Sequence, residues 1–303
     1  MFYFLVLLLI LIVVSSAYLS YKKTYSKLIK LPDSDTVTFL VNIKDVNYKG
    51  TKNNFIVTEK FFSKLYTLLE SLDNNTNNLI ILELLAHSKN VYFYITLPSN
   101  ILNFVESLIY KTYPSAHIIN ENKVLNKYND FLKNAKGKLL ELKLKKKSYL
   151  PIKTFEEFDN NKFKELLNFL ATKITDEDLI LMQYVLLPAK DTWQKEGYNY
   201  ISELNSNMDN MGIKFIQEHL SSIAFKANVK VFVFSKNSIN LTKNIKLVCD
   251  YFNSFSSSLN SFEINETFIK DSSFFLDTTK RGLLKLDNSF ILTTKELSSI
   301  ICI

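Results

Sequence analysis

The chain has 303 residues, 47% of them hydrophobic and 22% charged, with five glycines and five prolines. It is too apolar for a solvated tail, too poor in Gly and Pro for a disordered one, and long enough for two domains. The net charge of +7 does not by itself identify a nucleic-acid partner, since Arg281 is the only arginine among 37 basic residues; Cys249 and Cys302 stand in no metal or redox spacing, so disulfides do not hold the fold.

Residues 1–21 carry no charged side chain, and Lys22, Lys23, Lys27 and Lys30 follow before any acid. Roughly 20 apolar residues span a bilayer, so the reading here is a transmembrane helix over 1–21 and a basic juxtamembrane segment over 22–35. Lysines flanking a span stay on the cytoplasmic side, which predicts a single-pass protein of the cell membrane, N-terminus outside and C-terminal bulk cytoplasmic. A signal peptide cleaved near Ser15, Ser16 and Ala17 is the rival, but no basic residue precedes the apolar run.

Thr36 to Ile43 reads as a strand. Phe61, Phe62, Leu65, Leu68, Leu69 and Leu72 recur at helical spacing behind Thr58 as a cap. Leu79 to Ala86 and Val91 to Leu97 flank a polar turn at His87 to Asn90, a hairpin pattern. Ser99 opens a second helix ended by Pro114, and Ala116 to Ile119 closes a β-α-β-β-α-β order, the ferredoxin-like split pattern. After a polar linker the order repeats: Leu139 to Lys145, a helix from Phe163 to Ile174, Leu179 to Leu187, a helical insertion, Val229 to Phe234, a helix from Leu241 to Phe252, and Ser261 to Ile264. The expected fold class is α+β: a transmembrane helix and two ferredoxin-like domains in series, at 36–120 and 139–268, with a linker at 121–138, an insertion at 191–227 and a tail at 269–303.

Chemistry is sparse. No two glycines stand in Walker A spacing, which argues against ATP hydrolysis by this chain, and His87, His117 and His219 are scattered without a zinc-ligand pattern. His87 reads as a solvated turn residue. Glu156, Glu157 and Asp159 read as favourable charge at a helix start. No catalytic, metal-binding or cofactor-binding residue is expected, and no cofactor. The basic run Lys143, Lys145, Lys146 and Lys147, with Lys136 and Lys138 before it, is the candidate contact for nucleic acid or anionic lipid, against the plainer role of a solvated strand edge. Tyr92, Phe93 and Tyr94 suggest the stacking platform of an RNA-recognition module, but its glycine-containing motif is absent, so packing is the expected role. Trp193 reads as core packing for the insertion, with partner contact as the alternative.

Three groups of residues carry a family likeness: Val91-Tyr92-Phe93-Tyr94-Ile95 with Phe104-Val105-Glu106 and Ile109 to Pro114; Gln183 to Ala189 leading to Trp193-Gln194-Lys195-Glu196-Gly197; and Phe252-Asn253 with Leu259 to Phe262 and Ile291 to Leu297. These stretches resemble the membrane-anchored region ahead of the ATPase domain in type IV secretion and conjugation coupling proteins of the TraG/TraD-like group, from small-genome bacteria. The likeness covers most of the chain after residue 21 and lends no catalytic residue; the ATPase domain that would follow is absent from this sequence. It implies a non-enzymatic scaffold or adaptor that positions a DNA-translocation or secretion ATPase, with the membrane and that ATPase as expected partners; a second copy of the chain and nucleic acid are further candidate partners. A membrane-tethered nucleic-acid-binding module is the alternative.

Overall fold

The computed structural model describes residues 28–29, 36–43, 52–72, 79–121, 124–204, 210–270, 284–285 and 288–302. The elements in chain order are β1 (Leu28–Ile29), β2 (Thr36–Ile43), α1 (Lys52–Glu70), β3 (Ile80–His87), β4 (Asn90–Pro98), α2 (Leu102–Thr112) and β5 (Ala116–Asn120). A 3-10 turn at Val124–Tyr128 leads to α3 (Asn129–Asn134), β6 (Lys136–Leu144), α4 (Lys162–Lys173), β7 (Asp178–Pro188), α5 (Thr192–Glu203), α6 (Asn210–Leu220) and β8 (Ala224–Ser235). The chain continues through α7 (Ser238–Asn253), β9 (Phe262–Ile269), β10 (Leu284–Lys285), β11 (Phe290–Thr293) and α8 (Thr294–Ile300).

One nine-stranded sheet organises the molecule, in the order β5-β2-β4-β3-β7-β8-β6-β9, with β11 pairing β8. β1 and β10 form a separate two-stranded ladder. All pairs in the large sheet are antiparallel. The first four strands lie in the order fourth, first, third, second, and the second four repeat that order in reverse, so the halves meet at their second strands. That seam joins β3 to β7 from Ile80↔Leu186 to His87↔Leu179.

Strand pleating explains the layers, because alternate side chains face opposite sides. Ile80, Leu82, Leu84 and Ala86 of β3 and Ile180, Met182, Tyr184 and Leu186 of β7 join one core with Phe61, Phe62 and Leu65 of α1, Val105 of α2, Leu166 of α4, Val248 of α7 and Leu297 of α8. On the opposite face, Leu85, Tyr94, Leu179, Leu181, Phe232 and Phe234 pack against Tyr128 and Leu132. Cover on both faces is why β3 and β7 read as nearly unbroken apolar runs.

The β3–β4 hairpin shows one half supporting the other. Its two-residue turn places Ser88 and Lys89 at positive φ, 50° and 61°, a conformation that favours Asn-Gly rather than these residues. The amides of Ser88 and Lys89 donate to the carbonyls of Thr175 (3.1 Å) and Ile174 (2.7 Å) in the second half. A tertiary contact thus satisfies a turn that local sequence does not favour.

Several expectations are corrected. The anchor over 1–21 and the lysines Lys22, Lys23, Lys27 and Lys30 lie outside the described residues, and among the described residues no helix is long and apolar enough to cross a membrane. The longest described helix, α1, buries Phe61, Phe62, Leu65 and Leu69 while exposing Lys60, Lys64 and Glu70, the pattern of a helix packed on a sheet. The single-pass, cytoplasmic-facing placement is therefore not retained. The α+β character stands, but a membrane helix followed by two domains in series does not: both halves belong to one sheet, because the apolar second strand of each offers an edge that pairing with the other removes. Thr58 is no cap; α1 starts at Lys52, and Thr58 sits inside it, buried, with its hydroxyl 3.1 Å from the Tyr113 hydroxyl. The expected linker is structured, packing Tyr128 and Leu132 on the sheet. His87 is half-buried rather than solvated, its Nδ1 2.8 Å from the Asp178 carbonyl and its ring against Tyr128 and Phe131.

Candidate functional site

The structure separates the six candidate lysines. Lys136 and Lys143 stand seven residues apart along β6, roughly 23 Å at strand rise. Lys138 is taken up by Glu266, Nζ to Oε2 2.7 Å, and lies 4.9 Å from the centre of the Phe268 ring. Lys136 donates to Ser238 Oγ at 3.5 Å. Lys143, Lys145, Lys146 and Lys147 form no ion pair with a described residue, although Glu263 stands opposite Lys143 in the β6–β9 register.

The turn after β6 carries Lys145, Lys146 and Lys147 and is firmly held. Asn260, 2% exposed, accepts from the amides of Lys146 (3.0 Å) and Ser261 (2.9 Å) through Oδ1. Its Nδ2 donates to the carbonyls of Lys147 (3.1 Å) and Leu150 (2.9 Å). The Lys145 amide donates to the Ser261 carbonyl at 2.9 Å, and Ser148 Oγ accepts the Ile291 amide at 3.1 Å. The turn borders a break in the sheet: one edge of β8 is shared by β6, which pairs from Lys230 to Ser235, and β11, which pairs from Ala224 to Ala227. A pocket of about 190 Å³ lies there, lined by Lys143, Lys146, Lys147, Ser148, Asn288 and Ser289 among others.

A larger cleft of about 380 Å³ lies between α6, the start of α8 and the segment after the lysine turn; Pro151, Ile152, Phe215, His219, Ser257 and Leu259 are among its walls. His219 and Glu296 are both buried, with Nδ1 3.6 Å from Oε1, and His219 Nε2 is 3.0 Å from the Ser148 carbonyl. Glu296 also accepts the amides of Ile152 (3.0 Å) and Thr293 (2.9 Å), so the pair fastens the insertion, the turn and the C-terminal helix together. On its rim Lys295 Nζ meets Glu156 Oε2 at 2.5 Å. Burial holds the nearby Glu59 carboxyl above the usual carboxylate range, with Lys295 opposing and Glu156 reinforcing the shift.

Trp193 is buried beside Leu150, Ala189, Ile216 and Leu220, with its ring 5.3 Å from that of His219. This packs the insertion, and the indole is not a surface anchor. Tyr94 is buried and Tyr92 half-buried on the sheet, not displayed as an open stacking platform. Among the described residues no group of three or more His, Cys, Asp and Glu side chains is placed to hold a metal ion. At the seam Gln183 Nε2 donates to Glu83 Oε1 at 2.7 Å, both residues buried. Sequence reasoning missed Asn260 and the His219–Glu296 pair, since each acts on residues more than seventy positions away and no local pattern marks such a partner.

The architecture and these sites place the chain among mixed α+β proteins with pockets at the margins of one antiparallel sheet. It belongs to the family described as a domain of unknown function (DUF8128), which matches residues 44–211. No curated protein matches the sequence. Among solved structures, a BBE-like protein from Arabidopsis thaliana is similar at 12% identity and a TM-score of 0.31, over 76% of this chain and 44% of that one. The chain therefore spans less than half the length of that protein. A mutant chlorite dismutase from Candidatus Nitrospira defluvii is similar at 8% identity and a TM-score of 0.22, over 81% of this chain and 94% of that one. At such scores neither likeness bears on fold or function.

Proposed function

We infer that the protein is a non-enzymatic assembly module, a scaffold or adaptor that positions the motor ATPase of a type IV secretion or conjugation apparatus. The observation that carries this reading is the outer face of α6. Met211 and Phe215, one turn apart, are 66% and 45% exposed, and Ile223 beyond the helix is 40% exposed, whereas Ile216 and Leu220 on the inner face are fully buried. Large apolar side chains on one stripe beside a cleft form the kind of surface that a protein partner covers. The sequence likeness to the region ahead of the coupling-protein ATPase supplies the kind of partner.

The test is co-purification with the ATPase of such an apparatus from the same genome, using wild type and the double variant Met211→Asp, Phe215→Asp. Met211 is mostly exposed, whereas Phe215, 45% exposed, also lines the cleft, so the unfolding midpoint of the double variant is measured alongside and Met211→Asp alone serves as the variant that leaves the cleft wall intact. Recovery of the ATPase with wild type and its loss with the variant support the reading; equal recovery, or none with wild type, refutes it.

A further inference from the structure

We propose that the lysine turn and the break between β6 and β11 form a binding site for a single phosphate monoester group, borne by a small molecule or by a lipid head. The site is independent of the α6 surface and of any motor partner.

Three observations lead there. The first is charge: Lys143, Lys146 and Lys147 line one small pocket, and no described acid forms an ion pair with any of them. Lysine side chains that share one pocket wall give it a positive potential, only partly offset by Glu263 across from Lys143, and an anion entering the pocket is attracted by it. The second is preorganisation. A solvated lysine run needs no anchorage, yet the amide of Lys146 and the carbonyl of Lys147 are both held by the buried Asn260 side chain, and the Ser148 carbonyl faces His219. Fixing the backbone in advance lowers the ordering cost of gathering three flexible side chains around a ligand. The third is size and lining. About 190 Å³ admits a phosphate group together with a short ester arm, and Ser148, Ser289 and Asn288 add neutral polar groups to the wall.

The same observations disfavour a nucleic-acid track. A duplex contact needs cations spaced along a backbone, whereas Lys138 is neutralised by Glu266 and Lys136 stands at the far end of β6. A monoester, with about two negative charges and three terminal oxygens, suits a pocket lined by three lysines better than a singly charged diester.

Calorimetric titration of the full chain with glycerol 3-phosphate, and flotation with phosphatidylcholine vesicles with or without phosphatidic acid, tests the assignment and separates the sources. Saturable one-to-one binding of glycerol 3-phosphate is expected, weakened about tenfold or more by Lys146→Gln, Lys147→Gln, the loss of charge-assisted contacts. Lys136→Gln, Lys138→Gln at the other end of the strand leaves it unchanged. Flotation that requires phosphatidic acid and is lost in the first variant identifies a lipid head; binding to the soluble ester alone identifies a small molecule. Both double variants carry the same change in net charge, so an equal effect of the two overturns the site. So does the absence of saturable binding to either probe, or tighter binding of a DNA duplex that depends on all six lysines.

Discussion

Asn260→Ala tests how the basic turn is built. The wild-type carboxamide makes four hydrogen bonds, two accepted from the amides of Lys146 and Ser261 and two donated to the carbonyls of Lys147 and Leu150. A protein hydrogen bond contributes about 1 kcal/mol net, and a buried group left without a partner costs about 1–3 kcal/mol. Lys146 and Lys147 are exposed, so water can reach some of the freed backbone, whereas the bond to Leu150 is buried. The expected loss is therefore about 2–4 kcal/mol, below the sum for four fully buried groups. Asn260→Asp keeps the oxygen that accepts from Lys146 and Ser261 but loses both donors, and its buried carboxylate is turned onto two carbonyl oxygens, so it is destabilised at least as much as alanine. Urea unfolding measures both, as a shift in midpoint at unchanged slope. A loss under about 0.5 kcal/mol for alanine would mean that the turn holds itself and that Asn260 is incidental.

Three further outcomes follow from other parts of the molecule. A Cβ at Gly137 would sit 2.4 Å from Cε1 of the buried Phe234 ring, so Gly137→Ala costs about 1–3 kcal/mol by overpacking, read in the same urea assay. Burial pushes the Cys302 thiol up to about 11, against a hydrogen bond from Thr58, and the side chain is 1% exposed; a thiol reagent labels half-buried Cys249 in the folded protein and Cys302 only after unfolding. Because burial raises the Glu59 carboxyl, the folded state holds that proton to higher pH than the unfolded chain, and stability falls as pH rises through the folded-state value. Glu59→Gln removes that loss, so its unfolding midpoint exceeds wild type near about pH 7 and matches it near about pH 3.

How much was legible in the sequence depended on the range of the interaction. β-branched and aromatic runs marked β2 at Thr36–Ile43 and the β3–β4 hairpin, and apolar spacing marked α4 and α7, because these patterns repeat within one element. Thr58 misled, since a hydroxyl before an apolar run is also what a helix interior shows when a distant tyrosine and cysteine take up the hydroxyl. Six lysines close in sequence looked like one patch, but strand rise and the cross-strand partner Glu266 divided them.

From the sequence alone came the periodicity of the strands and helices, the repeated β-α-β-β-α-β order and the absence of a Walker loop. Only tertiary structure decided that β3 pairs with β7, that Asn260 clamps the lysine turn and that His219 meets Glu296. Each of these joins residues 77 to 114 positions apart, and no side chain carries in its own neighbourhood the identity of a partner reached only when the whole sheet has formed.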